Sequence, residues 1–335
     1  MKAIRRNGAG GLERLTLVEM EEPAAPRAGE ILVRLHASSL NYHDYLVALG
    51  KIPTADGLIP LADGAGVVEE IGEGVGEFAV GDHVVACFFP DWQDGAPLSS
   101  GFARTPGDGL DGYARERVVR PANWFTRAPG KYSHAEAATL TTAGLTAWRA
   151  LVDDGPLKAG ETVLTLGTGG VSIFALQFAG MMGASTIVTS SSDEKLARAR
   201  ALGAAHTINY QRCPDWADQV LELTGGRGVD HVIEVGGPAT LPQSIRACRV
   251  GGHIALIGVL TGFSGPVPTV ALLTRQVRLQ GLTVGSRRQQ IEMIRALDGN
   301  DMKPVIDRTF PLEELIEGFR YEESGAHFGK IAIGI

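Results

Sequence analysis

The sequence is poor in the features that mark several classes of protein. Its three cysteines, Cys87, Cys213 and Cys248, lie far apart and therefore indicate neither a disulfide framework nor a cysteine-rich zinc lobe. No apolar run approaches the roughly 20 residues of a membrane-spanning helix, and the N-terminus lacks the apolar stretch of a signal peptide. We therefore expect a cytoplasmic protein with no membrane partner.

Basic clusters and metal-ligand patterns are missing as well. The net charge is −7, and no block of lysine and arginine could neutralise a run of phosphates, so a nucleic-acid partner is not expected. The side chains of His36, His43, His83 and Cys87 have no spacing typical of metal ligands. The sequence therefore predicts no metal site.

What the sequence does contain is two contrasting patterns. Residues 1–127 hold short segments rich in Val and Ile, such as Glu30–His36, separated by glycine turns, and predict a β-rich domain. Over residues 128–285, strands and helices alternate, which predicts an α/β fold with a doubly wound parallel sheet. Within it, Ser133 and Glu136 have the spacing of a capping box that opens one helix over residues 133–151. The apolar segment Val277–Val284 predicts a sixth strand, and residues 286–335 lie outside this sheet.

A glycine-rich turn connects the first strand of this sheet to a helix. Its residues are Gly167, Thr168, Gly169, Gly170, Val171 and Ser172, with serine in the third glycine position. Glycines there permit a tight turn and let the backbone approach a pyrophosphate at the helix N-terminus. We interpret the turn as a dinucleotide site; the alternative is a tight turn that binds nothing.

The end of the second strand indicates which dinucleotide binds. An NAD site places an acidic residue there to bind the ribose 2′-hydroxyl, whereas this chain has Ser190, Ser191 and Ser192. Three hydroxyls and the following Lys195 favour a 2′-phosphate, so NADP(H) is the predicted cofactor. The alternative for Lys195 is an ordinary exposed lysine of a helix.

Further motifs give the chain a family resemblance. In order along the chain they are Asp63-Gly-Ala-Gly-Val-Val68, Ile71-Gly-Glu-Gly-Val75, Val80-Gly-Asp-His-Val84, Ala143-Gly-Leu-Thr-Ala147, the glycine turn and Leu202-Gly-Ala204. With them the whole chain resembles the medium-chain dehydrogenase/reductase superfamily, which pairs a GroES-like catalytic domain with a Rossmann domain. It looks most similar to the zinc-free quinone-oxidoreductase-like and alcohol-dehydrogenase-like branches. The resemblance implies domains over residues 1–127 and 128–285, with residues 286–335 returning to the catalytic domain.

The resemblance breaks at the positions of the catalytic zinc ligands. Zinc enzymes of the family carry a cysteine where this chain has Asn41, and Gly-His-Glu where it has Leu61, Ala62 and Asp63. Two of the three protein ligands that a catalytic zinc needs are thus missing. The four-cysteine lobe is also absent from residues 88–112. The resemblance therefore implies hydride chemistry without zinc.

The resemblance also implies roles for single residues. Asn41 would orient the site next to the nicotinamide, and Tyr42, His43 or Tyr45 would donate the proton; the sequence does not choose among these three. The alternative for His43 is a surface histidine or one whose hydrogen bonds are satisfied in the core. Asp44 is expected to cap a helix that begins at Tyr45. Cofactor contacts are implied for Thr142, Tyr210, Val235, Gly236, Gly258, Val259 and Lys330. The alternatives are an ordinary strand-end tyrosine for Tyr210 and a surface lysine for Lys330.

These residues together predict an NADPH-dependent, zinc-free reductase of a small hydrophobic carbonyl, quinone or enone. The long loop 88–112, with Trp92 and Phe102, is either a substrate lid or a surface excursion packed on its own aromatic rings. A homodimer joined through the edge strand near Val277–Val284 is the family expectation. The alternatives are an NADPH-binding protein with a structural, sensory or partner-binding role, and one domain of a larger reductase assembly.

Overall fold

The computed structural model describes residues 1–97 and 102–335, so residues 98–101 of the predicted loop lie outside the described residues. Its strands, in chain order, are β1 Lys2–Arg6, β2 Leu15–Glu19, β3 Glu30–Ser39, β4 Ala65–Ile71, β5 His83–Ala86, β6 Arg117–Pro121, β7 Phe125–Arg127, β8 Thr162–Leu166, β9 Ser185–Ser190, β10 His206–Asn209, β11 Val229–Glu234, β12 Cys248–Leu256, β13 Arg278–Gly281, β14 Ile306–Pro311 and β15 Lys330–Gly334. Its α-helices are α1 Tyr42–Ala48, α2 His134–Ala138, α3 Leu145–Trp148, α4 Gly170–Met181, α5 Asp193–Ala201, α6 Trp216–Leu223, α7 Leu241–Ala247, α8 Thr269–Arg275, α9 Arg287–Asp298 and α10 Leu315–Glu323.

Contacts divide the chain into two compact units. Unit 1 consists of Met1–Leu145 and Val284–Ile335, and unit 2 of Thr146–Thr283. In unit 1, β1 and β2 form a two-stranded sheet, and a seven-stranded sheet runs in the order β14-β15-β3-β4-β5-β7, with β6 also paired to β3. Strand β15 is antiparallel to β3, with Ala332 opposite Ser39. This register brings Lys330, two residues before Ala332, to the end of β3 where α1 begins.

Unit 2 contains the predicted doubly wound sheet. Six strands, all parallel, lie in the order β10-β9-β8-β11-β12-β13. All six residues of β11 are buried, which is expected for a central strand covered on both faces. The predicted sixth strand is confirmed as β13. No helix in residues 1–97 or 102–335 has the length and apolar character that crossing a membrane requires.

The helix predicted over residues 133–151 is confirmed as a helical segment, but it is not one uniform α-helix. The capping box that opens it is confirmed, because the Ser133 N–H donates to Glu136 Oε2 at 2.7 Å and the Glu136 N–H to Ser133 Oγ at 3.3 Å. Helix α2 nevertheless ends at Ala138, and α3 lies between two π-helical turns, Leu140–Gly144 and Arg149–Asp153. The hydroxyl of Thr139 donates to its own helix at Glu136 O (2.7 Å), a bond that bends helices. Such π-turns often occur at functional sites.

Candidate active site

A polar cluster lies in unit 1 where strand β3 meets helix α1. Helix α1 begins at Tyr42, with Asn41 as its N-cap and Asp44 as its third residue. The expectation that Asp44 caps a helix starting at Tyr45 is therefore wrong. Instead, the Asn41 N–H donates to Asp44 Oδ2 at 3.1 Å, so Asp44 plays the part that glutamate plays in a capping box.

The side-chain amide of Asn41 is hydrogen-bonded on both sides. Its Nδ2 donates to Asp44 Oδ2 at 3.0 Å and to Asp63 Oδ2 at 2.9 Å. Its Oδ1 accepts from Lys330 Nζ at 2.6 Å, and the same ammonium donates to the Leu40 carbonyl. The exposed fraction of Lys330 is only 4%. Asn41 and Lys330, two predicted site residues from opposite ends of the chain, are thus in direct contact.

Asp63 connects this cluster to Thr142. The Thr142 hydroxyl donates to Asp63 Oδ1 at 2.6 Å, and the Ser39 hydroxyl donates to Oδ2 at 2.5 Å. Asp63 is fully buried, and a buried carboxylate is stable only when its oxygens are hydrogen-bonded or paired. The residue before Ala62, Leu61, has a φ of +73°, a left-handed conformation that is strained for leucine. The turn that presents Asp63 is therefore held by its surroundings and not by local preference.

His43, one of the three candidate proton donors, is paired with Asp108. Its Nε2 lies 3.0 Å from Asp108 Oδ2, while its Nδ1 is 4.0 Å from Asp44 Oδ1. Burial alone would lower the pKa of His43, but the hydrogen bond to Asp108 and the charges of Asp44, Asp108 and Asp63 outweigh it, so the pKa is raised above its ordinary value. The imidazole therefore keeps its second proton to higher pH than a free histidine.

Aromatic rings surround the His43 imidazole. Phe102 stacks on it at 5.4 Å between ring centroids, and Phe88 meets it edge-on at 5.5 Å. Phe89 contacts Phe88, Phe102 and Trp92. We call Phe88, Phe89, Trp92 and Phe102 the aromatic wall. The predicted loop aromatics Trp92 and Phe102 thus pack with other rings of the loop, and Phe102 also contacts a candidate catalytic side chain.

The other two candidate donors have different surroundings. Tyr42 is exposed, with 41% of its surface accessible. The Tyr45 hydroxyl donates to Glu323 Oε1 at 2.5 Å. Burial and this hydrogen bond raise the pKa of Tyr45 to about 12, so its proton is held more tightly than that of a free tyrosine.

Two further carboxyl groups of unit 1 have raised pKa values. Burial and the nearby charge of Asp63 raise the pKa of Asp44 to about 6, against the opposing effects of His43 and the N–H groups of Asn41 and Ala62. Burial also raises the pKa of Glu322 to about 8, although the charge of Lys330 opposes the shift. Glu322 Oε2 is buried without a hydrogen-bond partner in the described residues. At neutral pH Glu322 is therefore mostly protonated.

In unit 2, the glycine turn has the open shape that a phosphate requires. Gly167 has a φ of +74°, and a Cβ added to Gly167 or Gly169 would meet no heavy atom within 4 Å. Gly169 is the N-cap of α4 and has no side chain to cap the first-turn N–H groups, which stay available for an anion. The Ser172 hydroxyl donates to Leu166 O at 2.7 Å and ties the helix to the strand end. Thr168 is buried, and Val171 lies in the first turn of α4. The turn fits a dinucleotide.

The serines at the end of β9 have distinct surroundings. Ser190 is buried, and its Oγ accepts from the Ser192 N–H at 3.3 Å. The Ser192 hydroxyl caps α5 by accepting from the Lys195 N–H at 3.3 Å. Ser191 alone is exposed. The structure therefore leaves the Ser191 hydroxyl the most accessible of the three.

Tyr210 and an unpredicted cation lie at the same edge of the sheet. Tyr210 is exposed, and its N–H donates to Ser190 O at 3.1 Å. Arg212 forms an ion pair with Asp193, which also accepts from Asn209 Nδ2 at 2.8 Å. Sequence reasoning did not single out Arg212, which brings a guanidinium to the strand end that carries the serines.

The backbones predicted to line the cofactor groove follow β11 and β12. The N–H groups of Gly236 and Gly237 donate to Glu234 Oε1 at 2.7 and 3.0 Å. A Cβ on Gly258 would lie 2.3 Å from Val235 O, so only glycine fits this contact. Val259 follows directly, and a Cβ added to Gly237 would lie 3.0 Å from Val259 Cα. These four predicted positions, Val235, Gly236, Gly258 and Val259, are therefore neighbours at the carboxyl ends of two adjacent strands.

Several residues of the unit 1 cluster were not predicted: Ser39, Asp44 as a network member, Asp63, Asp108 and Glu322. A signal existed for Asp63, which keeps a carboxylate where zinc enzymes have the glutamate of Gly-His-Glu. The spacing Asn41-x-x-Asp44 is also a recognisable variant of a capping box. No spacing connects Asp108 to His43 or Glu322 to Lys330, because the loop and α10 meet α1 and β15 only in the folded chain.

Comparison with known proteins agrees with the fold and the motifs. Residues 27–130 match the alcohol dehydrogenase GroES-like domain, and residues 170–299 match the zinc-binding dehydrogenase family. The zinc-type alcohol dehydrogenase-like protein C1773.06c of Schizosaccharomyces pombe is 42% identical over 100% of this chain and 99% of its own.

Solved structures agree as well. A protein from Sinorhizobium meliloti 1021 that is named as an alcohol dehydrogenase has a TM-score of 0.93 at 42% identity, covering 100% of this chain and 99% of its own. A quinone oxidoreductase from Pseudomonas syringae pv. Tomato DC3000 has a TM-score of 0.83 at 29% identity, with 100% and 99% coverage. The predicted GroES-like and Rossmann folds are confirmed, and the chain belongs to the medium-chain dehydrogenase/reductase superfamily of oxidoreductases.

Proposed function

We propose that the chain is an NADPH-dependent, zinc-independent oxidoreductase that reduces a small apolar carbonyl, quinone or activated alkene. The observation that carries this proposal is the His43–Asp108 pair, with 3.0 Å between Nε2 and Oδ2, set against the aromatic wall. When hydride reaches such a substrate, negative charge develops on its oxygen, and a donor at that oxygen accelerates the reaction. The pair supplies such a donor.

Of the three candidate donors, His43 is the best suited. With Nε2 bonded to Asp108, its Nδ1 is buried and is left without a hydrogen-bond partner in the described part of the chain. The raised pKa keeps a larger fraction of the imidazole protonated at neutral pH. In our proposal Nδ1–H donates to the substrate oxygen, and Asp108 orients the ring and stabilises its positive charge. Tyr45 is a weaker candidate because its hydroxyl is bonded to Glu323.

The residues of the cluster do not fit a catalytic zinc ion. Such an ion takes three protein ligands. Two of the ligand positions of the zinc enzymes, those of the cysteine and the histidine, are occupied here by Asn41 and Ala62, which do not bind zinc. In residues 1–97 and 102–335, no three His, Cys, Asp or Glu side chains are grouped to hold a metal. The Lys330 ammonium lies 3.7 Å from Asp63 Oδ2 and would repel a cation there. The reaction we propose therefore uses no metal.

Unit 2 supports a nicotinamide dinucleotide with a 2′-phosphate. The open glycine turn would bind the pyrophosphate, and Ser191, Lys195 and Arg212 would bind the 2′-phosphate, with no carboxylate at Ser191 to repel it. Bound NADPH supplies the hydride. The functions of the chain are to bind and orient the cofactor and to donate a proton at Nδ1 of His43.

The aromatic wall favours an apolar substrate. Its four side chains are aromatic and uncharged, so a molecule next to His43 would contact apolar rings. We therefore propose quinones, enones and apolar aldehydes as substrates in preference to polyanions.

We also propose a homodimer that forms through unit 2. Strand β13 ends the parallel sheet and leaves one of its edges unpaired in the described chain. Apolar side chains nearby are exposed, Phe263, Val270 and Leu273 among them. Light scattering on the purified protein should give twice the mass of one chain; a monomer at all concentrations would contradict this proposal.

The experiment that tests the function is a screen for loss of NADPH absorbance. Quinones, enones, enals and aldehydes are offered with NADPH or NADH, each with and without a strong chelator. We expect turnover of at least one class, faster with NADPH and unchanged by the chelator. Activity lost on chelation would overturn the metal-free proposal. Tight NADPH binding without turnover of any class would instead favour an NADPH-binding protein with a sensory or structural role.

A further inference from the structure

Unit 1 contains a buried ammonium, that of Lys330. Only 4% of this residue is exposed, and removing a lysine ammonium from water is costly unless it is paired and hydrogen-bonded. Its backbone is fixed in β15, where the Lys330 N–H donates to Val305 O at 2.9 Å. Its Nζ donates to the Leu40 carbonyl and to Asn41 Oδ1, and lies 3.7 Å from Asp63 Oδ2.

This ammonium determines which way the Asn41 amide faces. An ammonium has only donors, so it can face the amide oxygen and not the NH2 group. Ionised carboxylates only accept, so Asp44 and Asp63 can face the NH2 group and not the oxygen. The three charged neighbours of Asn41 therefore select one orientation, with Oδ1 toward Lys330 and Nδ2 toward both carboxylates.

In that orientation the Asn41 amide has no hydrogen left for a substrate. Its two N–H bonds point to Asp44 Oδ2 at 3.0 Å and Asp63 Oδ2 at 2.9 Å. Asn41 therefore acts through its neighbours. Those carboxylates in turn contact functional side chains: Asp63 Oδ1 accepts from the Thr142 hydroxyl, and Asp44 Oδ1 lies 4.0 Å from His43 Nδ1.

We propose that Lys330 is the positioning cation of this site, which fixes the Asn41 amide and, through it, the carboxylates of Asp44 and Asp63 that face His43 and Thr142. In this arrangement a side-chain ammonium supplies the fixed positive charge, in a cluster whose residues do not fit a metal ion. The inference rests on the proposed function, because it assigns Lys330 to the preparation of His43 for proton donation.

The charges around Lys330 make this role measurable. Asp63 and Asn41 contact it directly, and the carboxyl group of Glu322 on α10 experiences its charge. Asp44 is connected to Lys330 through Asn41, whose Nδ2 donates to it. His43 is connected in turn through Asp44, whose Oδ1 lies 4.0 Å from His43 Nδ1. Removing a positive charge from such a group favours the protonated forms of all its neighbours. Loss of the ammonium should therefore raise the pKa values of Asp44, Glu322 and His43 together.

The alternative role for Lys330 is the one that the sequence suggested, a contact with the cofactor or the substrate. The two roles predict opposite kinetics. A cofactor ligand mainly changes the dissociation constant of NADPH, whereas a positioning residue mainly changes kcat and the pH profile.

The test compares Lys330→Met, which keeps the length and removes the charge, with Lys330→Gln, which keeps hydrogen-bond donors and removes the charge, and Lys330→Arg, which keeps the charge. Lys131→Met is the matched control, since Lys131 is exposed in an ion pair with Asp301. For each protein we would measure kcat, the NADPH dissociation constant from tryptophan fluorescence, the pH profile of kcat/KM, and the unfolding free energy from pH 5 to 9.

For Lys330→Met we expect kcat to fall about 30-fold or more, while the NADPH dissociation constant changes by less than about threefold. The limb of the pH profile that belongs to His43 should move up by about half a unit or more. Lys330→Gln should show the same upward shift, and Lys330→Arg should restore the pH limb. Lys131→Met should match the unmodified protein in every measurement.

Other outcomes would overturn the inference. A tenfold weaker NADPH affinity with kcat retained would make Lys330 a cofactor ligand. An unchanged pH profile in Lys330→Met and Lys330→Gln would show that its charge does not act on the site. If Lys330→Met does not fold, Lys330→Gln decides by the same criteria. If the unmodified protein reduces nothing, the proposed function fails first, and the pH dependence of unfolding then tests the electrostatic role alone.

Discussion

His43 and Asp108 are 65 positions apart in the sequence, yet Nε2 of the imidazole lies 3.0 Å from Oδ2 of the carboxylate. Both side chains are largely buried, with exposed side-chain fractions of 16% and 9%. In such surroundings the carboxylate acts on one titrating group at close range and with little screening by solvent. This pair should therefore control the pH dependence of the reaction.

Replacing Asp108 should show that control directly. In Asp108→Asn the carboxylate charge is lost, so the pKa of His43 should fall by about one unit. Because the proposed donor works in its protonated form, activity should decline with rising pH earlier than in the unmodified protein. At neutral pH kcat should fall about 10- to 100-fold. Asp91→Asn, which breaks an exposed ion pair with Arg104, is the control, and an unmoved pH profile in Asp108→Asn would reject His43 as the donor.

Cofactor choice should depend on Ser191. A carboxylate in Ser191→Asp would lie where the 2′-phosphate is expected, and juxtaposed like charges cost about 2 kcal/mol or more. We expect the NADPH KM to rise about 30-fold, which is the same free energy, while the NADH KM changes little. Ser185→Asp, at the exposed far end of the same strand, should leave both constants unchanged. Equal losses for the two cofactors would indicate damage to the fold and not a lost phosphate contact.

Thr142 should contribute to stability through its hydroxyl. Thr142→Val keeps the shape but leaves Asp63 Oδ1, which now accepts at 2.6 Å, without that partner. An unsatisfied buried acceptor of this kind costs about 1–3 kcal/mol. Denaturant unfolding should show that loss for Thr142→Val and recovery of most of it for Thr142→Ser. A valine variant as stable as the unmodified protein would mean that Asp63 finds another donor.

Acid should destabilise unit 2 through His253. Burial lowers the pKa of this histidine to about 3, helped by the charge of Arg278 and by His231. In the unfolded chain this histidine binds a proton near pH 6.5, whereas in the folded chain it stays neutral until the pH is near 3. Its contribution to the free energy of unfolding is therefore fully present above pH 6.5 and is lost as the pH falls toward 3. At pH 5 the loss should be about 2 kcal/mol.

The measurement is the unfolding free energy as a function of pH. His253→Gln should remove most of this dependence, while His206→Gln, which changes an exposed histidine of β10, should keep it. A slope between pH 6.5 and 4 that is the same in His253→Gln and the unmodified protein would show that other groups cause it.

Local patterns predicted the parts of this protein that local chemistry determines. The alternation of strands and helices, the capping box at Ser133 and the glycine turn are each encoded within a few residues. The change from an α-helical to a π-helical turn after Ala138 was not predicted; in that turn the Thr141 hydroxyl donates to Ala86 O, a residue of β5. Helical periodicity carries no information about such a distant acceptor.

The candidate site was predicted in part for the same reason. Asn41 and His43 were identified from a short segment that resembles the family. Their partners Asp108 and Lys330 come from a loop and from β15, and no periodicity or spacing connects them. What the sequence could not give was the choice among Tyr42, His43 and Tyr45. In our proposal that choice rests on contacts seen only in the folded chain: the Tyr45 hydroxyl is bonded to Glu323, whereas His43 pairs with Asp108 through Nε2 and keeps Nδ1 without a hydrogen-bond partner in the described residues.

The contact between Lys330 and Asn41 spans 289 positions, with all of unit 2 between them. During synthesis, β3 and α1 leave the ribosome long before β15 exists. Until residue 330 has been made, the buried carboxylates beside Asn41 have no ammonium to balance them. Contacts of such long range form late and slow the folding of the sheet that needs them. The Thr146–Thr283 segment can fold as it is made, whereas the candidate active site of unit 1 is complete only after β15 has been made.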